Sequence, residues 1–226
     1  MDVTLKNDVT LNNNATLKNS GSVRAAFGRL IAGLVVLVLL SGCTHTLIVD
    51  GSFPSPLVSK LPHTLGVHYP EEFTKYRYVE KSKDRAKWII DMGEAQTDLF
   101  EAVLPGVFTT VTRVDELPAD DPDATPPAVD LVIMPTVEEF QYTLPSETKI
   151  KVYEIWLKYN VQVYDPNGSL IADWILTAYG KTPTGFMQSD EVALNQAVVV
   201  ALRDAGANLS LNFTNIPEVR AWLAQR

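Results

Sequence analysis

A long alternation of apolar and polar side chains at residues 153–163 constrains the fold of this chain more than any other feature. The apolar positions of this run are Tyr153, Ile155, Leu157, Tyr159, Val161 and Val163. A period of two over this length predicts a strand with one buried face. The Asp165-Pro166-Asn167-Gly168 segment then favours a turn. Residues 170–179 are therefore predicted to return as the second strand of a hairpin, with Leu170, Ala172, Trp174, Leu176 and Ala178 on the apolar face.

Shorter patterns before the hairpin predict further strands at residues 65–69, 75–80, 87–92, 107–115 and 129–144. Pro135 lies inside the last of these, and a proline there predicts an edge position or a bulge. A helix is predicted from Gly93, with Leu99, Phe100, Val103 and Leu104 on one face and Pro105-Gly106 as its stop.

Residues after Gly185 have a helical pattern. Ser189 is a candidate N-cap for a helix with the stripe Leu194, Ala197, Val198, Ala201, Leu202 and Leu209. A last short helix is predicted from Pro217. The order of elements predicts an α+β fold: a mainly antiparallel sheet with a long hairpin, and two or three helices packed on one face.

Near the start of the chain, an apolar run at residues 30–40 follows Arg24 and Arg29 and ends in Leu40-Ser41-Gly42-Cys43. Basic, apolar and small residues in this order are typical of a secretory signal. These four residues resemble the lipobox of a bacterial lipoprotein. The resemblance implies a diacylglycerol on the Cys43 thiol, signal cleavage before Cys43, and an N-acyl chain on the new amino terminus.

An uncleaved membrane anchor or a buried core helix is the alternative reading of residues 30–40. The run has 11 residues, whereas a membrane-spanning helix needs about 20. A longer helix would place Arg29 in the hydrocarbon, which is unfavourable. Thr44 follows the cysteine, and by resemblance to enteric sorting the absence of Asp at this position implies an outer-membrane lipoprotein on the periplasmic face.

The predicted organisation has three parts. Residues 1–42 form a signal peptide with an extended n-region, residues 43–63 a lipidated cysteine with a proline-rich tether, and residues 64–226 a periplasmic α+β domain. The tether is predicted to be extended, with one edge-strand piece at Leu47–Val49. Residues 118–128 are predicted to be a mobile acidic loop. Asp120, Asp121 and Asp123 within it are an alternative calcium site, but the loop lacks the spacing, the glycine and the distal glutamate of an EF-hand. No metal site is predicted.

The charge balance argues against a nucleic-acid partner. The chain has 19 Lys and Arg against 27 Asp and Glu, and removal of residues 1–42 leaves 15 against 25. Nucleic acids and anionic lipid surfaces recruit basic patches, and none is visible in the sequence. Cys43 is the only cysteine, so a lipidated chain has no thiol for a disulfide. No cofactor is predicted apart from the covalent acyl groups on Cys43.

No enzyme motif is present among the hydrolase, zinc, Walker and dinucleotide patterns. The histidines are His45, His63 and His68, and none has an identifiable catalytic partner in the sequence. We therefore predict no catalytic residue and a protein that is not an enzyme.

The chain is also similar to small envelope-assembly lipoproteins, including the auxiliary lipoproteins of lipid-transport ABC systems. The similarity rests on the lipobox, on WIIDMGEAQTDLFEAVLPGVF, and on YNVQVYDPNGSLIADWILTAYG followed by a terminal helix. It implies an accessory or scaffold subunit that is attached to the membrane by its lipid and binds an envelope complex or further copies of itself. The alternative is a carrier for a lipid or another apolar ligand.

Trp156 is the candidate interface residue. It occupies an even position of the alternating run, on the face otherwise formed by Glu154, Lys158, Asn160 and Gln162. A tryptophan on a polar face can anchor a protein interface. A helix covering that face is the competing explanation.

Overall fold

The computed structural model describes residues 44–85, 87–117, 126–185 and 188–225. They belong to one compact unit, Thr44–Arg226. The strands are β1 Thr44–Ile48, β2 Leu61–Val67, β3 Arg77–Val79, β4 Lys87–Asp91, β5 Phe108–Arg113, β6 Leu131–Thr143, β7 Val152–Tyr164 and β8 Leu170–Pro183. The helices are α1 Glu71–Thr74, α2 Gly93–Val107, α3 Asp190–Asn212 and α4 Pro217–Leu223, with a 3-10 turn at Phe213–Asn215.

Two sheets and the helices confirm the predicted α+β class. The large sheet has the order β5-β2-β6-β7-β8, and the small one has the order β1-β4-β3. The longest pairs, β6 with β7 and β7 with β8, are antiparallel. Three shorter pairs are parallel: β2 with β5, β2 with β6, and β1 with β4.

The predicted hairpin is the β7–β8 pair, whose register runs from Val152 opposite Pro183 to Tyr164 opposite Leu170. All six apolar positions of β7 are buried. In the turn, Gly168 has a φ of 85°, and its amide donates to the carbonyl of Asp165 at 3.0 Å. Leu170 was predicted to be buried but is 53% exposed. The register shifts next to its partner Tyr164, so the alternation of β8 begins only after that residue.

Pro135 predicted an edge position or a bulge, and β6, although an interior strand, has a local edge at Pro135 and an irregularity shortly after it. Its pairing with β2 ends at Ile133, so Pro135 has a ladder partner only on the β7 side, where it faces Val161. A register irregularity follows between Val137 and Glu139. Pro135, which has no amide hydrogen to donate, therefore lies where the pairing of β6 with β2 has already ended.

Helix α2 extends past the predicted stop. It includes Pro105 and Gly106 and ends at Val107. A proline in the last turn removes only one backbone donor, and the Phe108 amide still donates to the Leu104 carbonyl. The predicted face of Leu99, Phe100, Val103 and Leu104 is buried.

Helix α3 begins at the predicted cap, because the Ser189 hydroxyl accepts from the amide of Val192 at 3.3 Å. All six residues of its predicted stripe are buried. The helix packs closely on β8, and a Cβ placed on Gly180 would lie only 2.5 Å from the backbone nitrogen of Ala201. The lack of a side chain at Gly180 therefore allows α3 to lie this close to β8.

The edge-strand piece predicted at Leu47–Val49 is present as β1 at the edge of the small sheet, but residues 44–58 are packed on the domain and do not form a free tether. They pack along the domain as β1 and an extended segment, with Leu47 and Val49 buried. Asp50 and Asn195 exchange two hydrogen bonds, and Arg203 donates to the Ser52 carbonyl. Prolines exclude a helix here, but an extended segment can still bury alternate side chains and satisfy its backbone groups through α3. The compact unit therefore begins at Thr44 and not at residue 64.

Candidate functional site

The outer face of the large sheet carries the candidate site. Helices α2 and α3 pack against the inner face, where Tyr159 contacts the ring of Phe100. The even positions of β7 point the other way, as the alternation of a strand requires. Trp156 is 54% exposed on this outer face. No described helix covers it, so the structure favours the exposed placement over the covered one.

Neighbouring strands hold Trp156 in place. It lies in register with Gln141 on β6 and Tyr179 on β8. The rings of Trp156 and Tyr179 have centroids 4.5 Å apart and planes inclined by 49°. Such offset aromatic pairs contribute about 0.5–1.5 kcal/mol beyond their buried area. The tryptophan ring therefore packs against Tyr179 while about half of its surface stays exposed.

Tyr179 is itself fixed by a charged group. Its hydroxyl donates to Oε1 of Glu154 at 2.7 Å. This hydrogen bond raises the pKa of Tyr179 to about 12, because the carboxylate stabilises the protonated phenol. The hydroxyl therefore keeps its proton and its bond to Glu154 at neutral pH.

A charged rim lies on the other side of Trp156. Glu139 accepts hydrogen bonds from Lys158 and Gln141. The bond from Lys158 lowers the pKa of Glu139 below its ordinary value. A shallow cavity of about 160 Å³ lies between Glu139, Gln141, Trp156 and Lys158. We call the set Glu139, Gln141, Glu154, Trp156, Lys158 and Tyr179 the Trp156 patch.

Several residues singled out in the sequence lie outside the described residues. These are Leu40, Ser41, Gly42 and Cys43 of the lipobox, and Asp120, Asp121 and Asp123 of the acidic loop. The lipidation of Cys43 therefore remains a prediction from the sequence. Within the described residues, no group of three His, Cys, Asp or Glu side chains could hold a metal ion. In that same part of the chain, no helix is long and apolar enough to cross a membrane.

The three histidines occupy separate places. His45 stacks on Trp88 with centroids 4.8 Å apart, and its Nδ1 lies 3.3 Å from a Glu191 oxygen. His63 faces Asp130 at 3.6 Å. His68 Nδ1 lies 3.2 Å from the Val114 carbonyl. The structure brings no two of them together.

A buried polar pair lies in the core. The hydroxyl of Tyr159 donates to Oε1 of Gln96 at 3.0 Å, and the Gln96 amide donates to the Phe73 carbonyl. Burial raises the pKa of Tyr159 well above its ordinary value. Each group has its partner inside the core, as buried polar groups require. The pair therefore joins β7, α2 and the end of α1.

An apolar groove bears on the carrier alternative. It lies between residues 54–58, α2 and α3, has a volume of about 260 Å³, and includes Leu57, Leu99, Val103 and Leu211 in its lining. Small-molecule sites usually measure about 300–1,000 Å³ and enclose most of their ligand. The groove falls short of that range.

Comparisons with known proteins give similar solved structures only. No protein-family model matches, and no curated protein matches. Protein XCC0632 of Xanthomonas campestris, of family DUF330, is 13% identical, with 81% of this chain and 97% of that chain covered and a TM-score of 0.46. A minor lipoprotein of Acinetobacter baumannii is 17% identical, with 72% and 97% covered and a TM-score of 0.38. Lipoprotein GNA1162 of Neisseria meningitidis is 12% identical, with 62% and 96% covered and a TM-score of 0.29. All three scores are low, so the proposals below rest on the residues of this chain.

Sequence reasoning missed Tyr179 as the partner of Trp156. The signal was present, because Tyr179 lies at an odd position of β8, opposite the predicted apolar face. Once the hairpin turn fixes the register, Tyr179 falls directly beside Trp156.

Proposed function

We propose that this protein is a lipid-anchored periplasmic subunit of a cell-envelope complex, and that it binds a protein partner through the Trp156 patch. The observation that carries the proposal is the half-exposed Trp156, held against Tyr179 on an otherwise polar sheet face. The lipobox sequence ending at Cys43 supports the membrane attachment. Thr44 supports the outer membrane as the destination.

The composition of the patch fits a binding site for a protein. Interface hot spots are enriched in tryptophan and tyrosine and are surrounded by polar contacts that exclude water. Trp156 and Tyr179 form such a centre, and Glu139, Lys158 and Glu154 form such a rim. The contact with Tyr179 already restricts the Trp156 ring, so this protein loses less side-chain entropy at Trp156 on binding.

Lipidation is tested first. Cys43→Ser should abolish incorporation of a palmitate analogue and release the protein from membranes. Two or three acyl chains give stable attachment, whereas one chain gives only marginal binding. A Ser variant that still labels and still sediments with membranes would contradict the lipid anchor.

Native mass spectrometry of the detergent-extracted protein tests the binding role. A subunit should carry a partner or form a homo-oligomer, and a carrier should carry a small molecule in the groove beside Leu57. Trp156→Ala should remove the partner or the oligomer, since hot-spot truncations cost about 2 kcal/mol or more of binding. Leu170→Ala is the matched control, because Leu170 has a similar exposed fraction but lies at the start of β8, opposite Tyr164 at the end of β7. Equal loss in both variants, or no loss in either, would refute the assignment of the patch.

A further inference from the structure

One end of the domain collects the termini of several strands together with the start of the described chain. Thr44, the first described residue, is in register with Lys87 at the start of β4. The β3–β4 turn contacts the β6–β7 turn through Arg85, which binds Glu147 and donates to the Tyr142 carbonyl. The end of β8 joins them, because the Thr184 amide donates to the Lys151 carbonyl.

Six exposed lysines lie at this end, although they are spread over a hundred residues of sequence. We call the set the lysine end: Lys81, Lys83, Lys87, Lys149, Lys151 and Lys181. None of the six forms an ion pair with any described residue, whereas Lys75 and Lys158 elsewhere in the domain are both paired. The Lys151 ammonium donates to the Pro145 carbonyl at 3.3 Å, and the ammonium groups of the other five lysines remain available to an external anion.

Most carboxylates at the same end are already engaged. Arg85 binds both Glu80 and Glu147. Asp190 accepts from the Tyr153 hydroxyl, Glu191 faces His45, and Glu154 accepts from Tyr179. Asp84, Glu154 and Asp190 form no ion pair with a described residue, and the tyrosine hydroxyls that bind Glu154 and Asp190 leave their charges in place. This end thus has six lysines and Arg85 against six carboxylates, whereas the whole chain has 19 basic against 27 acidic residues.

The tip of the β6–β7 turn adds an apolar residue to this charge. Ile150 is 70% exposed between Lys149 and Lys151. The backbone of Lys151 has a φ of 51°, a conformation that residues other than glycine rarely adopt. Exposed apolar residues flanked by lysines are typical of segments that enter a membrane interface, where lysine stems lie along apolar surface and their charges reach the headgroups.

We propose that the lysine end rests on an anionic phospholipid surface, with Ile150 among the headgroups. The inference rests on the proposed lipid anchor, because Thr44 follows Cys43 directly and lipid on Cys43 would attach the chain at this end. Charge complementarity selects the occupant, since each lysine close to an anionic leaflet strengthens binding roughly fivefold. The lipid then attaches the protein, and the lysine end sets its orientation.

Fluorescence quenching tests the proposal. In the lipidated protein Cys43 is consumed, so Ser146→Cys introduces the only thiol, in the β6–β7 turn. An environment-sensitive dye on residue 146 is read in vesicles of equimolar phosphatidylcholine and phosphatidylglycerol that contain headgroup-nitroxide lipid. Leu170→Cys is the control position, because Leu170 lies on β8 opposite Tyr164, at the far end of β7 and roughly 40 Å away. Quenching at 146 should clearly exceed quenching at 170.

Charge and attachment are then varied separately. Lys149→Gln with Lys151→Gln should lower the ratio of docked to undocked protein roughly fivefold for each lysine, and vesicles of pure phosphatidylcholine should lower it further. A second form carries a polyhistidine tag in place of residues 1–43 and binds the same vesicles through a nickel-chelating lipid. The unit from Thr44 onward holds the described core.

The two forms separate the two proposals. Preferential quenching at 146 in the tagged form supports the lysine end, even where the full chain proves to carry no lipid and the lipid anchor fails. Equal quenching at 146 and 170 in the tagged form overturns the lysine end, whether or not the full chain floats with vesicles. Quenching at 146 that is unchanged in the Gln variant and in pure phosphatidylcholine overturns it as well.

Discussion

Gly180→Ala tests the contact on which the packing of α3 depends. Gly180 lies on β8 beneath the helix, and a Cβ built there would lie 2.5 Å from the Ala201 nitrogen and 2.9 Å from the Ala201 Cβ. The carbonyl oxygen of Ala197 would be closer still. Two of these three atoms belong to the helix backbone. A rotamer change cannot relieve the clash, so the helix itself must move away from the sheet.

The expected cost follows from what such a movement disrupts. Extra methyl groups in a packed core usually cost about 1–3 kcal/mol. The stripe of α3 from Leu194 to Leu209 is buried against the sheet and α2, and rigid displacement loosens the whole stripe. We therefore expect about 3 kcal/mol, a substantial fraction of the 5–15 kcal/mol that stabilises typical domains.

Urea unfolding of the unit Thr44–Arg226, followed by tryptophan fluorescence, measures this cost. With a slope of about 1–3 kcal/mol per molar urea, the midpoint should fall by about 1 M or more. Gly185→Ala is the control, because its Cβ would meet the flexible end of Gln188. Ala201→Gly in the Gly180→Ala background should restore little, since the backbone atoms remain. A midpoint close to that of the wild type, or full rescue by Ala201→Gly, would refute the backbone clash.

Three other substitutions have defined outcomes in the same urea assay. Gly168→Val should cost about 1–3 kcal/mol, because a β-branched residue is strained at a φ of 85°; an unchanged midpoint would contradict the turn. In the Arg85→Gln variant, the free energy of unfolding should fall less steeply as the pH is lowered. The hydrogen bond from Arg85 lowers the pKa of Glu147, so this contribution is complete above the unfolded pKa of about 4.3 and is lost as the pH falls through the folded value. Parallel pH profiles for variant and wild type would argue against it. Trp156→Ala should cost less than about 2 kcal/mol, since core tryptophans cost about 3–5 kcal/mol and Trp156 is half exposed; a larger loss would place it in the core.

The sequence predicted those parts of the fold that depend on local periodicity. The period of two identified the buried face of β7, and the helical period identified the buried stripes of α2 and α3. The Asp165–Gly168 turn identified the hairpin, because its residues restrict the backbone locally. The faces and the reversals of the chain are thus encoded within short windows.

Features that depend on distant partners were not predicted. A strand piece was predicted at Leu47–Val49, but its burial depends on β4 and α3 and could not be predicted from so short a segment. The parallel pairing of β2 likewise joins segments that are far apart in sequence. For the candidate site, periodicity placed Trp156 on the outer face but could not decide whether a helix covered it. That question depends on which face of the sheet the helices occupy.

The lysine end illustrates the same dependence and bears on the choice of partner. A net charge of −8 and lysines scattered from 81 to 181 gave no sign of a basic surface. The surface forms because the turns before β4 and β7 and the end of β8 meet at one end of the domain.

Trp156 lies five residues from Lys151 along the same segment, at most about 17 Å away in an extended chain. A partner bound at the Trp156 patch would therefore lie close to the bilayer that the lysine end contacts. We accordingly expect that partner to be a membrane-associated protein or a neighbouring lipidated copy of this chain.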